Sequence, residues 1–266
     1  MRTASQHHGV RPPAVAGLFY PRDPDRLRVA VTELFAGLPA GHSAPKALIA
    51  PHAGYVYSGR VAATAFAELG ASVVERVVLI GPAHYVRLRG IALPTAAAFD
   101  TPFGRISVDQ AAFSAVSDLP FVSRDDGPHA PEHALEVELP FLQVALGSFA
   151  LVPLVVGDAA PEQVAEVLGR LWGGSETLIV VSSDLSHYHD YAEARRLDAA
   201  TAGAIERGQW RALTAASACG FLPVAGLLIE AGRRALSARR LALCNSGDTA
   251  GSRDSVVGYG AWALAA

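Results

Sequence analysis

The chain has 266 residues, 51% of them hydrophobic and 18% charged, with a formal net charge of −3. That length and composition suit a globular domain with a substantial core and exclude a disordered or fibrous chain. The mild negative charge and the lack of a basic run argue against a nucleic-acid partner, and no apolar run approaches the ~20 residues of a membrane-spanning helix.

Met1 to Gly17 lacks the apolar centre of a signal peptide, so a cytoplasmic protein is expected. His7-His8 reads as a frayed polar end. Residues 1–23 read as an irregular arm, because Arg11-Pro12-Pro13 is too proline-rich for a helix interior. Its apolar residues are expected to pack on the body. Asp23-Pro24 is a cap and first-turn pair, followed by Leu27, Val31, Leu34 and Leu38 on one helical face. Ala47-Leu48-Ile49-Ala50 is a short buried strand that stops at Pro51-His52. A helix is expected to start at Ser58 or Gly59, burying Val61, Ala65, Phe66 and Leu69. Arg76 to Ile80 is a second apolar run, closed by Gly81-Pro82-Ala83-His84. Gly90 to Leu93 and Arg105 to Val108 are short strand candidates, read as a hairpin at a sheet edge around residues 99–104.

Asp109 is placed to cap a helix presenting Ala112, Phe113 and Val116. From Glu132, the residues Leu135, Leu139 and Leu142 keep helical spacing, although Pro140 should kink or break that segment. Leu151 to Val156 is a strand, and Glu162 to Trp172 is amphipathic. Leu178 to Val181 is a third apolar run that ends in Ser182-Ser183-Asp184-Leu185-Ser186-His187. Tyr191 to Arg207 and Phe221 to Ala231 read as helices. Arg239 to Leu243 and Val256 to Ala263 read as late strands around Asn245-Ser246-Gly247-Asp248-Thr249. Alternating strands and helices predict an α/β fold: one layered domain over residues 1–266, with a largely parallel or mixed central sheet flanked by helices.

Three apolar runs therefore end in loops that carry a histidine: His52, His84 and His187. In open α/β sheets, ligands bind beyond the C-terminal ends of the strands. Imidazole suits iron, copper, nickel and zinc, and two histidines with a carboxylate are the usual non-haem iron(II) set. Any one of these histidines alone reads equally as a loop residue bonded to backbone carbonyls; the repeated placement is what favours a site. Asp184, three residues before His187, can hold an imidazole in one tautomer and raise its basicity. Glu132 and Glu136 fall on one face of the expected helix, suited to substrate contact or support. Asp248 ends another strand and is a candidate third metal ligand, with an Asx-type turn as the alternative. Cys244 is expected to be buried in its strand and inert. The two cysteines form no Cys-x-x-Cys pair, so neither a disulfide framework nor a zinc knuckle is implied. No phosphate-binding glycine fingerprint or Gly-x-Ser-x-Gly elbow is present.

These blocks together resemble the Memo family, whose bacterial and archaeal members are known as AmmeMemoRadiSam system protein B. The resemblance rests on several ordered blocks. They are Arg11 to Pro21, Pro51-His52-Ala53-Gly54-Tyr55-x-Tyr57-Ser58-Gly59, Gly81-Pro82-x-His84, and Glu132-His133-x-Leu135-Glu136 through Leu142. Ser182 to Tyr188, Cys219-Gly220-x-x-Pro223 and Asn245-Ser246-Gly247-Asp248 complete the set. The family's fold is similar to class III extradiol ring-cleavage dioxygenases, which hold iron(II) and use a further histidine as acid and base. The resemblance implies His52 and His84 as metal ligands and His187 as the facing histidine. His187, Asp184 and His133 are thus the catalytic candidates, and Tyr55, Tyr57 and Glu132 the substrate-binding ones. The family's cysteine ligand, counted from Asp254-Ser255, falls on Thr249, which makes Asp248 the expected substitute. A divalent metal is implied, iron(II) first, with copper or zinc as alternatives. The implied function is a dioxygenase-like oxidoreductase working beside AMMECR1-like and radical-SAM proteins on a small-molecule or peptide substrate. A non-enzymatic peptide- or protein-binding module and a copper- or iron-handling protein are the alternatives.

Overall fold

The computed structural model describes residues 9–41, 45–70 and 72–266. The His7-His8 reading and the first eight residues of the arm lie outside the described residues. The arm enters through β1 (Val10–Arg11) and reaches α1 (Pro24–Phe35), which is capped by the Asp23 carboxylate accepting from the Arg26 N–H. Leu27 and Val31 give α1 its buried face. Then follow β2 (Ala47–Ala50), α2 (Tyr55–Ala67), β3 (Arg76–Pro82), β4 (Ile91–Leu93), β5 (Ala98–Thr101), β6 (Gly104–Ser107) and β7 (Val122–Arg124). The second half contains α3 (Leu139–Leu146), β8 (Ala150–Val156), α4 (Pro161–Arg170), β9 (Thr177–Ser182), β10 (His187–His189), α5 (Tyr191–Glu206), α6 (Phe221–Arg233), β11 (Ser237–Asn245) and β12 (Val256–Ala265).

Among the described residues, nine strands form one mixed sheet in the order β10-β12-β2-β9-β3-β8-β4-β7, with β11 also pairing to β12. Its centre, β2-β9-β3-β8, is parallel. The apolar runs read from the sequence are these strands. They are continuous rather than alternating because both faces of a parallel sheet are covered: every residue of β2 and β9 is buried. Helices α4 and α6 pack together, α6 against β3 and β9, while α1, α2 and α3 form a second group. One contiguous core runs from Val15 to Leu264.

Several local expectations change. Helix α2 begins at Tyr55 rather than Ser58. The helix expected from Glu132 starts only at Leu139, because Pro140 is tolerated in a first turn and not in an interior; residues Glu136–Glu138 form a 3-10 turn instead. Asp109 does cap Ala112, but of a single 3-10 turn. Strand β6 pairs with β5 and not with β4, and this hairpin joins β1 in a separate three-stranded sheet. The segment after β9 runs into β10.

Candidate metal centre

Strands β2, β3 and β9 run parallel, so the loops after them open on one edge of the sheet. His52 follows β2 by two residues and His84 follows β3 by two. His187 lies beyond β9, where the pairing of β10 with β12 is irregular between His187 and His189. Tyr188 there has a φ of 63°, a left-handed conformation unusual for a residue with a side chain. Bulges of this kind re-aim side chains beside sites. The three loops meet at a cleft of about 810 Å³, lined also by His133, Asp184, Cys219 and Tyr57.

One nitrogen each from His52, His84 and His133 lies within 4.8 Å of the others. The His52 and His84 ring centroids are 5.1 Å apart, and those of His84 and His133 4.6 Å. His52 is buried, His133 half-buried, and His84 opens toward solvent. Two of the rings have their Nδ1 atoms engaged by neighbouring residues. The His84 Nδ1 lies 2.8 Å from the Glu132 carboxylate, which also accepts from the His84 and Ala134 backbone N–H groups. A carboxylate can only accept, so Nδ1 carries the hydrogen and Nε2 of a neutral ring keeps its lone pair. His52 Nδ1 is likewise engaged, 2.7 Å from the Ser182 hydroxyl. His133 Nδ1 is 3.3 Å from Glu132 but has no hydrogen-bond partner.

Electrostatics keeps the His52 and His133 rings neutral. Burial, followed by the neighbouring histidines, holds His52 well below the usual imidazole value. Burial brings His133 down to about 4 against the opposing pull of Glu132. Burial alone would raise Glu132, but its hydrogen bonds and charge interaction with His84 take it below the usual carboxylate value. Neutral imidazoles are the metal-binding form. A buried nitrogen without a partner, two rings with their Nδ1 sides engaged, and a supporting carboxylate fit a metal ion.

The expected residues divide. His52, His84, His133, His187, Asp184 and Tyr57 all line the cleft, and His133 joins His52 and His84 in the group whose nitrogens could hold an ion. Asp184 does not touch His187. Its buried carboxylate accepts from the His52 N–H, and burial raises it to about 7. His187 is oriented instead by its Nδ1 donating to the Leu185 carbonyl, 2.8 Å away. Glu132 supports His84 rather than facing the cleft. Tyr55 is core: it is buried and donates to the Val137 carbonyl. Asp248 is not brought to the histidines. It is exposed and accepts from the Tyr191 hydroxyl and the Asn245 N–H, because the Asx-type turn directs it outward. Thr249 is also exposed and donates to the Ser246 carbonyl. Cys244 sits in β11, paired to Tyr259.

The cysteine that reaches the site is Cys219, whose Sγ lies 3.3 Å from His52 Nε2. Gly220 permits this: a Cβ there would sit 2.7 Å from that of Ser183. The Cys219-Gly220 block was the available signal for that residue. Burial pushes the thiol up to about 12. Among the described residues no helix is long and apolar enough to cross a membrane.

The family model described as Memo-like protein matches residues 11–263. A MEMO1 family protein of Aquifex aeolicus is 36% identical over 263 residues, covering 94% of this chain and 97% of its own. One from Aeropyrum pernix is 38% identical over 275 residues, covering 94% and 98%. Among solved structures, an uncharacterized protein of Escherichia coli K12, JW3007, superposes with a TM-score of 0.55 at 13% identity. That match covers 83% of this chain and 99% of the other, a likeness of fold.

Proposed function

The chain belongs to the Memo family, and we propose that its cleft is a metal centre in which His52, His84 and His133 hold one divalent ion, iron(II) foremost, for a dioxygenase-like oxidoreductase. The observation that carries this reading is the convergence of three ring nitrogens within 4.8 Å, one ring having a buried nitrogen without a partner. Three imidazoles suit iron, zinc, copper or nickel. Only one methionine and two cysteines occur in the chain, which disfavours copper(I). Cys219 adds a single soft donor beside His52.

A bound ion would supply Lewis acidity and, as iron(II), a redox-active centre for oxygen chemistry. The remaining groups handle substrate and protons. With Nδ1 donating to Leu185, a neutral His187 has Nε2 free to take a proton from a substrate hydroxyl and return it. Asp184, raised to about 7, is a second proton-holding group at the buried wall. Tyr57 and Tyr85 supply an aromatic rim. Among the described residues no lysine or arginine lines the cleft, so an anionic substrate group would find no side-chain counter-ion among them.

The test is elemental analysis of protein purified without oxygen, beside the His52→Ala/His84→Ala double variant. Near-stoichiometric iron in the wild type, lost in the variant, supports the reading. Zinc or copper at that stoichiometry would change the metal. No metal in either protein after anaerobic loading would overturn it.

A further inference from the structure

The buried side of His52 rests on two residues that the metal reading leaves without a role, Ser182 and Glu138. Ser182, the last residue of β9, is fully buried. Its hydroxyl oxygen has three close neighbours: the Ala134 carbonyl at 2.7 Å, Glu138 Oε1 at 2.8 Å and His52 Nδ1 at 2.7 Å. Glu138 is also fully buried, and its Oε2 meets no partner. No cationic side chain pairs with it among the described residues, whereas Glu136, two positions earlier, pairs with Arg11.

A hydroxyl has one hydrogen to give and two lone pairs to accept with. The Ala134 carbonyl can only accept, so the serine hydrogen goes there. The two remaining contacts must then each bring their own hydrogen. From His52 this is the Nδ1–H. From Glu138 it is a carboxylic acid O–H, which requires the neutral form. All three contacts are then satisfied at once. If Glu138 were instead ionised, it would be a buried charge without a cation, with one oxygen unsatisfied, an arrangement that costs several kcal/mol in general.

We propose that Glu138 is a neutral carboxylic acid that donates its O–H to Ser182, and that Ser182, its own hydrogen committed to the Ala134 carbonyl, holds His52 in the Nδ1–H tautomer, so that Nε2 presents its lone pair toward the cleft and Cys219. The function of the tautomer rests on the metal reading; the hydrogen count does not. Burial, reinforced by the nearby Asp184 charge, raises Glu138 well above the usual carboxylate value against the Ser182 hydrogen bond. Glu138 is a positioning residue: it touches neither the other histidines nor the open cleft, and it ends the 3-10 turn Glu136–Glu138, five residues beyond His133.

The assignment is tested first in metal-free protein at neutral pH. Histidine-selective ¹⁵N NMR is expected to show His52 with a protonated Nδ1 and a bare Nε2. Infrared difference spectra between wild type and Glu138→Gln are expected to show one protonated-carboxyl carbonyl stretch that the variant lacks. A glutamine amide N–H can replace the acid O–H, so Glu138→Gln should keep the tautomer and bind iron(II) within about threefold of wild type. Glu138→Met removes the acid donor but leaves the serine hydrogen on Ala134 and a serine lone pair for His52, so it should lose the acid band and keep the tautomer. Ser182→Ala removes the bridge and should shift the tautomer and weaken iron(II) binding by about 10–100-fold, as loss of an outer partner of a metal histidine does. An ionised carboxylate band in place of the acid band overturns the proposal, as does a wild-type His52 with a bare Nδ1 or a Ser182→Ala protein with unchanged tautomer and affinity. Because the spectroscopic readings need no metal, they decide the role of Glu138 whether or not the metal reading stands.

Discussion

At the arm anchor, Glu136 accepts from the Arg11 guanidinium, the Ala14 and Val15 N–H groups and the Tyr20 hydroxyl. Arg11 spends its other donors on the His129 and Glu132 carbonyls. At the cleft, four positions earlier in the chain, Glu132 holds His84 by side chain and backbone, yet the adjacent His133 keeps a buried Nδ1 without a hydrogen bond. The two regions share one turn and opposite designs. The anchor saturates all the lone pairs of a carboxylate and so fixes the arm on the body. The cleft leaves hydrogen-bonding capacity unspent at His133 and meets His52 Nε2 with only a thiol, an arrangement of use where something else is to be bound.

Breaking the anchor should have the largest effect. Arg11→Met leaves Glu136 buried without its cation and is expected to cost about 3–5 kcal/mol of stability, measured by chemical denaturation. Variant protein that still folds should retain its metal stoichiometry. A cost below about 1 kcal/mol, the range of a surface pair, would make the two regions alike. On the cleft side, His187→Ala should lower turnover by about 10²–10⁴-fold while metal stays bound; unchanged oxygen consumption with an active substrate would remove His187 from proton transfer.

The neutral histidines sharpen the contrast through pH. His133 has a folded value of about 4 against the usual 6.5. Between those values the unfolded chain binds the extra proton, so the contribution of a neutral His133 is present above pH 6.5 and lost as pH falls toward 4. The stability of metal-free wild type relative to His133→Gln should therefore fall with acidification, by at most about 1.4 kcal/mol per pH unit. Taking the difference cancels the opposite-signed contribution of Asp184. A flat difference across that window would mean that His133 is not held neutral. The smallest effect is expected at Asp248: Asp248→Ala should alter stability and metal affinity by only about 0.5 kcal/mol, since its side chain faces solvent. A large loss of metal there would restore it as a ligand.

The sheet was legible because parallel strands covered on both faces must be continuous apolar runs, as at Leu178 to Val181 and Arg76 to Ile80. The same runs located His52, His84 and His187, since strand ends deliver loops to one edge. The residues whose position differs from the expectation, or whose part in the histidine group it does not foresee, lie where no periodicity operates. His133 comes from an irregular turn, and treating Pro140 as a break inside a helix put Glu132 and Glu136 on one helical face. Tyr55 was read as cleft-lining because α2 starts three residues earlier than expected, which turns that ring into the core. Asp248 matched the strand-end pattern but belongs to an Asx-type turn. Cys219 meets His52 across 167 positions of sequence, through a close approach that only Gly220 allows, and spacing alone could not disclose it.

The most direct test of the three-histidine centre is an anaerobic iron(II) titration of wild type beside His133→Ala, followed by calorimetry. Wild type should bind one equivalent, and the variant should bind at least about tenfold more weakly while unfolding in the same cooperative manner. Equal affinity in the two proteins would contradict the account, because it would leave His52 and His84 to hold the ion without the third imidazole.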